Sequence, residues 1–403
     1  MHIRSLSLEN FRNYVRLEQE LPDRAVLLCG SNAQGKTSLL EAVYYLATSG
    51  SPLSANDRQL INWTAKKEGM AHIRLRAEVV QREQVREISI VLLLEPDTQG
   101  RQRLKRRVLI DQAPRKRRDL AGELNVVLFL PQDVELVTGS PAGRRRYLDD
   151  TLSQIDARYS AAQGTYTNAL RQRNALLRHL AEQGGDPGQL EPLDGQLARS
   201  GVAISLARRR LINALSQHAH RTHGELSGGK EWLQMVYQPN FDLTRPPGIV
   251  CQTSFQESPG PPQGISDQDL VAAFRQQLRE RRREEVERGM TLSGPHRDEM
   301  RFMIEKMDLG VYGSRGQQRT AVLALKIAQL AWMKQETGTS PVLLLDEVLA
   351  ELDQHRREFL LAQVDQVEQA LLTATDLEMF SPSFRQRATL LWVEKGLIQP
   401  YER

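Results

Sequence analysis

The stretch Gly30-Ser31-Asn32-Ala33-Gln34-Gly35-Lys36-Thr37-Ser38 restricts the possible folds more than any other in the chain. It matches G-x-x-x-x-G-K-[ST], a loop whose backbone N–H groups wrap phosphates and which needs a strand before it and a helix after it. Both neighbours fit. AVLLC (25–29) reads as a buried strand, and SLLEAVYYL (38–46) has helical apolar spacing. Gly30 and Gly35 let the backbone turn inward, the helix N-terminus adds positive potential, and Lys36 reaches the β/γ oxygens. The Thr37 hydroxyl is the Mg²⁺ ligand this pattern predicts. The motif names a nucleotide ligand and leaves open what the nucleotide powers.

A chain of 403 residues, 40% of them hydrophobic, is long enough for two domains or for one domain with a large insertion. No run approaches the ~18 apolar residues of a membrane span. The opening MHIRSLSLENFRNY lacks the apolar core of a signal peptide, so a cytoplasmic location without membrane association is expected. Cys29 and Cys251 are the only cysteines, too few for a disulfide framework or a four-cysteine metal site, and Cys29 reads as strand packing. Formal net charge is only +4, but cations bunch at 101–107, 115–118, 144–146, 208–210 and 279–284. Glu280, Glu284 and Glu285 make the last of these a solvated helix face. The 101–118 cluster has few acids over a strand–turn–strand pattern and predicts a basic ribbon for a polyanion.

A phosphate loop needs a second strand ending in an acid, and PVLLLDEV (341–348) supplies one. Asp346 is read as the metal acid, and Glu347 as the group that orients and deprotonates water. Asp346 follows Lys36 by 310 positions along the chain, far more than a compact nucleotide domain needs. Something is inserted between two halves of one sheet. Before that strand, Ser314-Arg315-Gly316-Gln317-Gln318 opens an apolar helical pattern that resembles the signature turn of ABC-type ATPases. There, a serine and a glycine at a helix N-terminus hold the γ-phosphate bound to an opposing subunit. The run LAELD (349–353) resembles the D-loop, and LLTATDLE (371–378) occupies the switch position, with Asp376 where many relatives have histidine. ELSGGK (225–230) matches the transporter signature letter by letter, but the following EWLQMVYQP alternates like a strand, so LSGG is read as a turn.

The order NFRNY (10–14), phosphate loop, FLPQDVELVTGSPAGRRRYLD (129–149), TLSGPHRDE (291–299), YGSRGQQRT (312–320) and LLLDEVLAELD (343–353) closely resembles the RecF family of bacterial recombination mediators across nearly the whole chain. Arg315 stands where that family usually has glutamine, Ala350 where serine is common and Gln132 where acids are frequent. The resemblance implies that Arg12 and Asn13 lie near the nucleotide, that Gln132 couples the metal to an arm, and that Ser314, Gly316 and Gln317 act beside Lys36 and Glu347 in catalysis. His296, Arg297 and Asp298 match a family motif, and the chemistry of a lone histidine beside Arg and Asp makes them a structural hydrogen-bond node.

The expected fold is α/β: an ABC-type P-loop ATPase head, a split mixed sheet with flanking helices, carrying an inserted, mostly helical arm. The boundaries are residues 1–130 for the first half of the head, 131–285 for the arm and 286–403 for the second half. The arm is a helical hairpin broken at 184–195 with a returning helix over 196–220, too short for the coiled coils of SMC proteins. The span 239–264 reads as loop around a short strand, followed by a helix over 266–288. The resemblance implies an ATP- and Mg²⁺-dependent homodimer, hydrolysing slowly, that clamps duplex DNA beside a single-stranded gap, with RecR, RecO and, downstream, RecA as partners. The DNA contacts expected are Arg115, Lys116, Arg117 and Arg118, then Arg144, Arg145 and Arg146. A transporter ATPase subunit or another SMC-like tether is the alternative. A P-loop kinase has no use for the signature turn, and a vestigial binding module has none for two intact acids.

Overall fold

A computed structural model of the chain describes residues 1–54, 56–63, 65, 72–96, 102–241 and 266–401. Beyond Phe241, the loop and short strand expected over 239–264 lie outside the described residues. The chain divides into two compact units, Met1–Asp133 with Lys326–Arg403, and Val134–Leu325.

The first unit holds two six-stranded sheets. One is antiparallel and comprises β1 (His2–Phe11), β2 (Tyr14–Glu20), β4 (His72–Gln81), β5 (Gln84–Pro96), β6 (Gln102–Ile110) and β7 (Ala113–Arg115), in the order β2-β1-β4-β5-β6-β7. Strict alternation along β4 buries Ile73, Leu75, Ala77 and Val79 on a single face. The pairs Arg82–Glu83 and Asp111–Gln112 adopt positive φ, the geometry that lets a two-residue turn follow the strand twist.

The other sheet comprises β3 (Ala25–Cys29), β8 (Val126–Phe129), β12 (Val342–Asp346), β13 (Ala370–Ala374), β14 (Thr389–Glu394) and β15 (Leu397–Pro400). Its order is β15-β14-β3-β13-β12-β8, parallel throughout except for the β14–β15 hairpin. β3, β8, β12 and β13 are nearly continuous apolar runs, as strands buried on both faces must be. The helix Lys36–Thr48 places Leu39, Leu40, Val43 and Leu46 in a core shared with Ile3, Leu6 and Leu8 of β1 and Val26 and Leu28 of β3. The head is therefore an α/β fold whose mixed sheet draws strands from both ends of the chain, as expected. β13 lies between the phosphate-loop strand and the acid strand, an order the motifs do not reveal.

The second unit contains the helix Pro141–Ser153 and a hairpin of helices Ala157–Gln183 and Glu191–Leu226. The break falls at 184–190, as the Gly-Gly-Asp-Pro-Gly run predicts. The return helix starts earlier than 196 because Pro192 is tolerated in a first helical turn, where its missing N–H is no loss. Gly228 and Gly229 turn at positive φ into β9 (Leu233–Gln238), so LSGG is a turn before a strand. The expected 266–288 helix is two helices, Asp267–Glu280 and Arg282–Arg288. Residues 286–325, read from sequence as part of the head, group with this unit. β10 (Glu299–Ile304) pairs with β9 and with β11 (Met307–Asp308), and the Thr291 hydroxyl accepts from buried Arg173 at 2.9 Å. His296 accepts from Tyr166 and bonds the Thr291 carbonyl, while Asp298 joins Arg208, Tyr237 and Asn240. These residues are a structural node, as the sequence suggests. Among the described residues no helix is long and apolar enough to cross a membrane.

Candidate functional site

The phosphate loop leaves β3 through two glycines that nothing else can replace. A Cβ on Gly30 would meet the Val393 carbonyl oxygen at 2.3 Å, and one on Gly35 would meet Asn13 Nδ2 at 2.5 Å, both at positive φ. The loop is fixed from behind. Asn13 Nδ2 donates to the Gln34 carbonyl (2.7 Å), the Tyr14 hydroxyl to that of Gly35 (3.0 Å), and the β14–β15 turn donates Lys395 N–H to the Gln34 side chain (2.8 Å). Buried Lys36 donates to the carbonyls of Gly30 (2.6 Å) and Ser31 (3.0 Å) and stands 3.2 Å from a Glu347 carboxylate oxygen.

At the C-terminal end of β12, Asp346 accepts from Thr37 Oγ1 (2.9 Å) and from Thr373 Oγ1 (2.8 Å) on the same carboxylate oxygen. Burial pushes the Asp346 carboxyl above the usual carboxylate range, and the two hydroxyl bonds oppose that shift. Thr373 also accepts the Glu347 N–H at 2.9 Å. Glu347 itself is left-handed, with φ 51°, a conformation that costs a non-glycine residue about 1–2 kcal/mol. Thr373 was missed in the sequence. Its signal is one polar residue in an apolar strand, in register with Asp346 across β12 and β13.

A cleft of about 880 Å³ opens onto this arrangement, lined by Asn32, Ala33, Gly35, Lys36, Thr37, Ser38 and Glu347, with Arg12 and Asn13 beside them. Gly30, Ser31 and Gln34 shape the loop without lining the cleft. Arg12 lines it, but its guanidinium is bidentate on buried Glu41 (2.7 and 2.8 Å) and also donates to Ser54 and the Gln59 carbonyl. These bonds brace the helix against Ser54 and Gln59, and nothing in the local motif marks Glu41 as the partner of Arg12. Gln132, expected at the nucleotide, is exposed in a turn after β8 and is not among the lining residues. The donor set fits a nucleoside triphosphate and a hard cation: one hydroxyl and one carboxylate, with the remaining ligands left to phosphate and water. Among the described residues no cluster of three acids, histidines or cysteines exists to hold a metal alone.

Ser314, Gly316 and Gln317 belong to the second unit. The Ser314 hydroxyl accepts the Gln317 N–H (3.2 Å) while the Gln317 side chain accepts the Ser314 N–H (2.9 Å), a reciprocal cap on the helix Arg315–Thr337. Gln317 Nε2 also donates to Glu231 at 2.6 Å, so its side chain is occupied by capping and docking rather than held out for catalysis. Ser314 and Gly316 are exposed.

The basic residues separate into two groups. Arg115, Lys116, Arg117 and Arg118 are all exposed on β7 and the turn after it, though Arg117 donates to the Thr48 carbonyl. The neighbouring β6 is less basic than its sequence implies, since Lys105 and Arg107 face Glu95 across the sheet and Arg106 turns inward to Asp57. Arg144 is not a surface cation: it is bidentate on Glu299 (2.7 and 2.8 Å), donates to the Gly139 carbonyl and is only 9% exposed. Arg145 donates to the Asp298 carbonyl, and Arg146 lies 3.6 Å from Asp150 one helical turn on. The expectation of three DNA-facing arginines at 144–146 fails for Arg144 because its guanidinium closes a pair within the unit.

A profile of the RecF/RecN/SMC N terminal domain matches residues 2–398. The DNA replication and repair protein RecF of Herpetosiphon aurantiacus is 41% identical over 409 residues, spanning 99% of this chain and all of that protein. This chain belongs to the RecF family. RecF of Chloroflexus aurantiacus is likewise 41% identical, over 407 residues covering 99% of each. A solved structure of the recombination mediator protein RecF with ATP, of the RecFOR pathway, superposes with a TM-score of 0.84 at 25% identity, covering all of this chain and 98% of that one. The RecF likeness thus runs through both compact units.

Proposed function

We propose that this chain is an ATP-gated DNA clamp of recombinational repair, an ATPase whose hydrolysis acts as a slow timer. The observation that carries the reading is the convergence of Lys36, Thr37, Asp346 and Glu347 at one cleft, tied together through Thr373. Lys36 exchanges its carbonyl partners and Glu347 for the β/γ-phosphate oxygens. Thr37 and Asp346 would hold Mg²⁺, which would neutralise phosphate charge. Glu347, released from the lysine, orients water and takes its proton. Two chains sandwich two nucleotides, the exposed Ser314–Gly316 turn of each meeting the other's phosphate loop, and the closed pair holds duplex DNA beside a gap. RecR, RecO and the RecA filament are the partners this places around it, in keeping with the pathway named for the ATP-bound relative.

The test separates binding from assembly. Glu347→Gln, which keeps size and loses the base, is expected to trap ATP and dimer together. Ser314→Arg is expected to bind ATP as a monomer and neither dimerise nor hydrolyse. Sedimentation with and without ATP and a gapped duplex reads both. Full ATPase activity in Ser314→Arg monomers refutes the sandwich.

A further inference from the structure

We propose that Trp63 is the platform on which the base of the bound nucleotide stacks. This deepens the ATP reading and rests on it. The cleft that holds Lys36 and Thr37 is polar where the phosphates go, yet its lining continues into Val15, Ile61 and Trp63. Trp63 is 68% exposed and Val15 55%, large apolar surfaces that a head domain has no folding reason to leave in water. A nucleoside triphosphate brings with it a flat aromatic base that an indole face and an aliphatic neighbour recognise without hydrogen bonds.

The position of Trp63 relative to the phosphate loop is set bond by bond. Asn13 Nδ2 holds the Gln34 carbonyl of the loop (2.7 Å), and the carbonyl of the adjacent Arg12 accepts from Asn62 Nδ2 (2.7 Å). The Arg12 N–H donates to the Leu60 carbonyl (2.7 Å), the Asn62 N–H to that of Asn10 (2.8 Å), and Phe11 bridges Ile61. The residue preceding Trp63 is thereby fixed on both sides to the turn that braces the loop. A ring carried on so short a path has a defined place in the cleft, which is what a specificity residue requires. Exposure of the ring also means that replacing it leaves the core intact.

The experiment compares the full-length parent, Trp63→Ala and Trp63→Phe for binding of ATP, CTP and inorganic tripolyphosphate by calorimetry, with intrinsic fluorescence as a second readout. Stacking predicts ATP binding about 10- to 100-fold weaker in Trp63→Ala, recovery to within about threefold in Trp63→Phe, a preference for the larger purine, and unchanged tripolyphosphate binding. ATP is also expected to quench a part of the parent's tryptophan emission that is missing in Trp63→Phe. Unchanged ATP affinity in Trp63→Ala overturns the proposal. An equal loss for ATP and tripolyphosphate overturns it as well, because the residue would then act through the loop. A parent that binds no ATP removes the ATP reading itself.

Discussion

Thr373→Val tests whether the site is organised by a residue that touches no phosphate. Valine keeps the shape and deletes the hydroxyl, so two bonds go at once: the 2.8 Å bond to Asp346 and the 2.9 Å bond from the Glu347 N–H. The first, to a carboxylate, is worth about 1.5–3 kcal/mol, and the second about 1 kcal/mol. Glu347 meanwhile sits in a left-handed conformation at φ 51° that resists it by about 1–2 kcal/mol. The bond lost is comparable to the strain it restrains, so the Glu347 peptide relaxes once the hydroxyl is gone. With the Glu347 bond offset by the strain released, stability is expected to fall by about 2 kcal/mol, the share of the Asp346 bond, in urea unfolding. The ATPase kcat is expected to fall about 10- to 100-fold, at about 1.4 kcal/mol per decade, while ATP affinity stays within about threefold because Lys36 and the loop are untouched. Thr373→Ser, which keeps the hydroxyl, restores the rate. A parental kcat in the valine variant, or a parental hydrolysis rate constant under single-turnover conditions, refutes the reasoning.

Four further outcomes follow from contacts described above. Gly30→Ala drives a methyl onto the Val393 carbonyl 2.3 Å away, so it is expected to yield little folded protein by circular dichroism; a cooperatively folded variant that still binds ATP contradicts this. Burial holds His296 down to about 4, against 6.5 when unfolded, so stability contributed by its neutral form is present above pH 6.5 and drains away as pH falls toward 4. The loss amounts to about 3 kcal/mol, and His296→Gln is expected to flatten the pH dependence of the urea midpoint across that window. Arg115→Ala with Lys116→Ala is expected to lower the slope of log K against log salt for a gapped duplex by up to about two, at ~0.9 per phosphate. Arg144→Ala is expected to keep the parental slope while costing about 3 kcal/mol of stability, because Glu299 loses its counter-ion; a flattened slope returns Arg144 to the DNA surface.

The parts of this protein legible in sequence are those whose physics is local. The phosphate loop, its strand and its helix occupy one short stretch, and the acids at 346–347 end an apolar run that can only be a buried strand. LSGG could be dismissed because the EWLQMVYQP that comes after it alternates like a strand. The illegible parts depend on partners far away. Arg144 reads as one of three equal arginines until Glu299, 155 residues later, claims it. The acids missing from the basic ribbon come from Glu95 across a strand pair. Thr373 matters only because β13 slots between β3 and β12, and strand order in a parallel sheet leaves no mark on any single segment.

That same strand order has a consequence for synthesis. β3 pairs only with β13 and β14, so the strand leading into the phosphate loop has no sheet neighbour until residues 370–394 exist. At about 5–20 residues per second, Ala25–Cys29 waits roughly 17–70 s on the ribosome with both hydrogen-bonding edges unpaired. The antiparallel sheet closes from near neighbours in the meantime, and Val134–Leu325 is complete before β12 emerges. The sheet beneath the nucleotide cleft therefore cannot close until residues 370–394 have been made. A nascent chain arrested anywhere between 130 and 370 displays a naked apolar strand edge, and chaperone capture of this protein should concentrate on that interval.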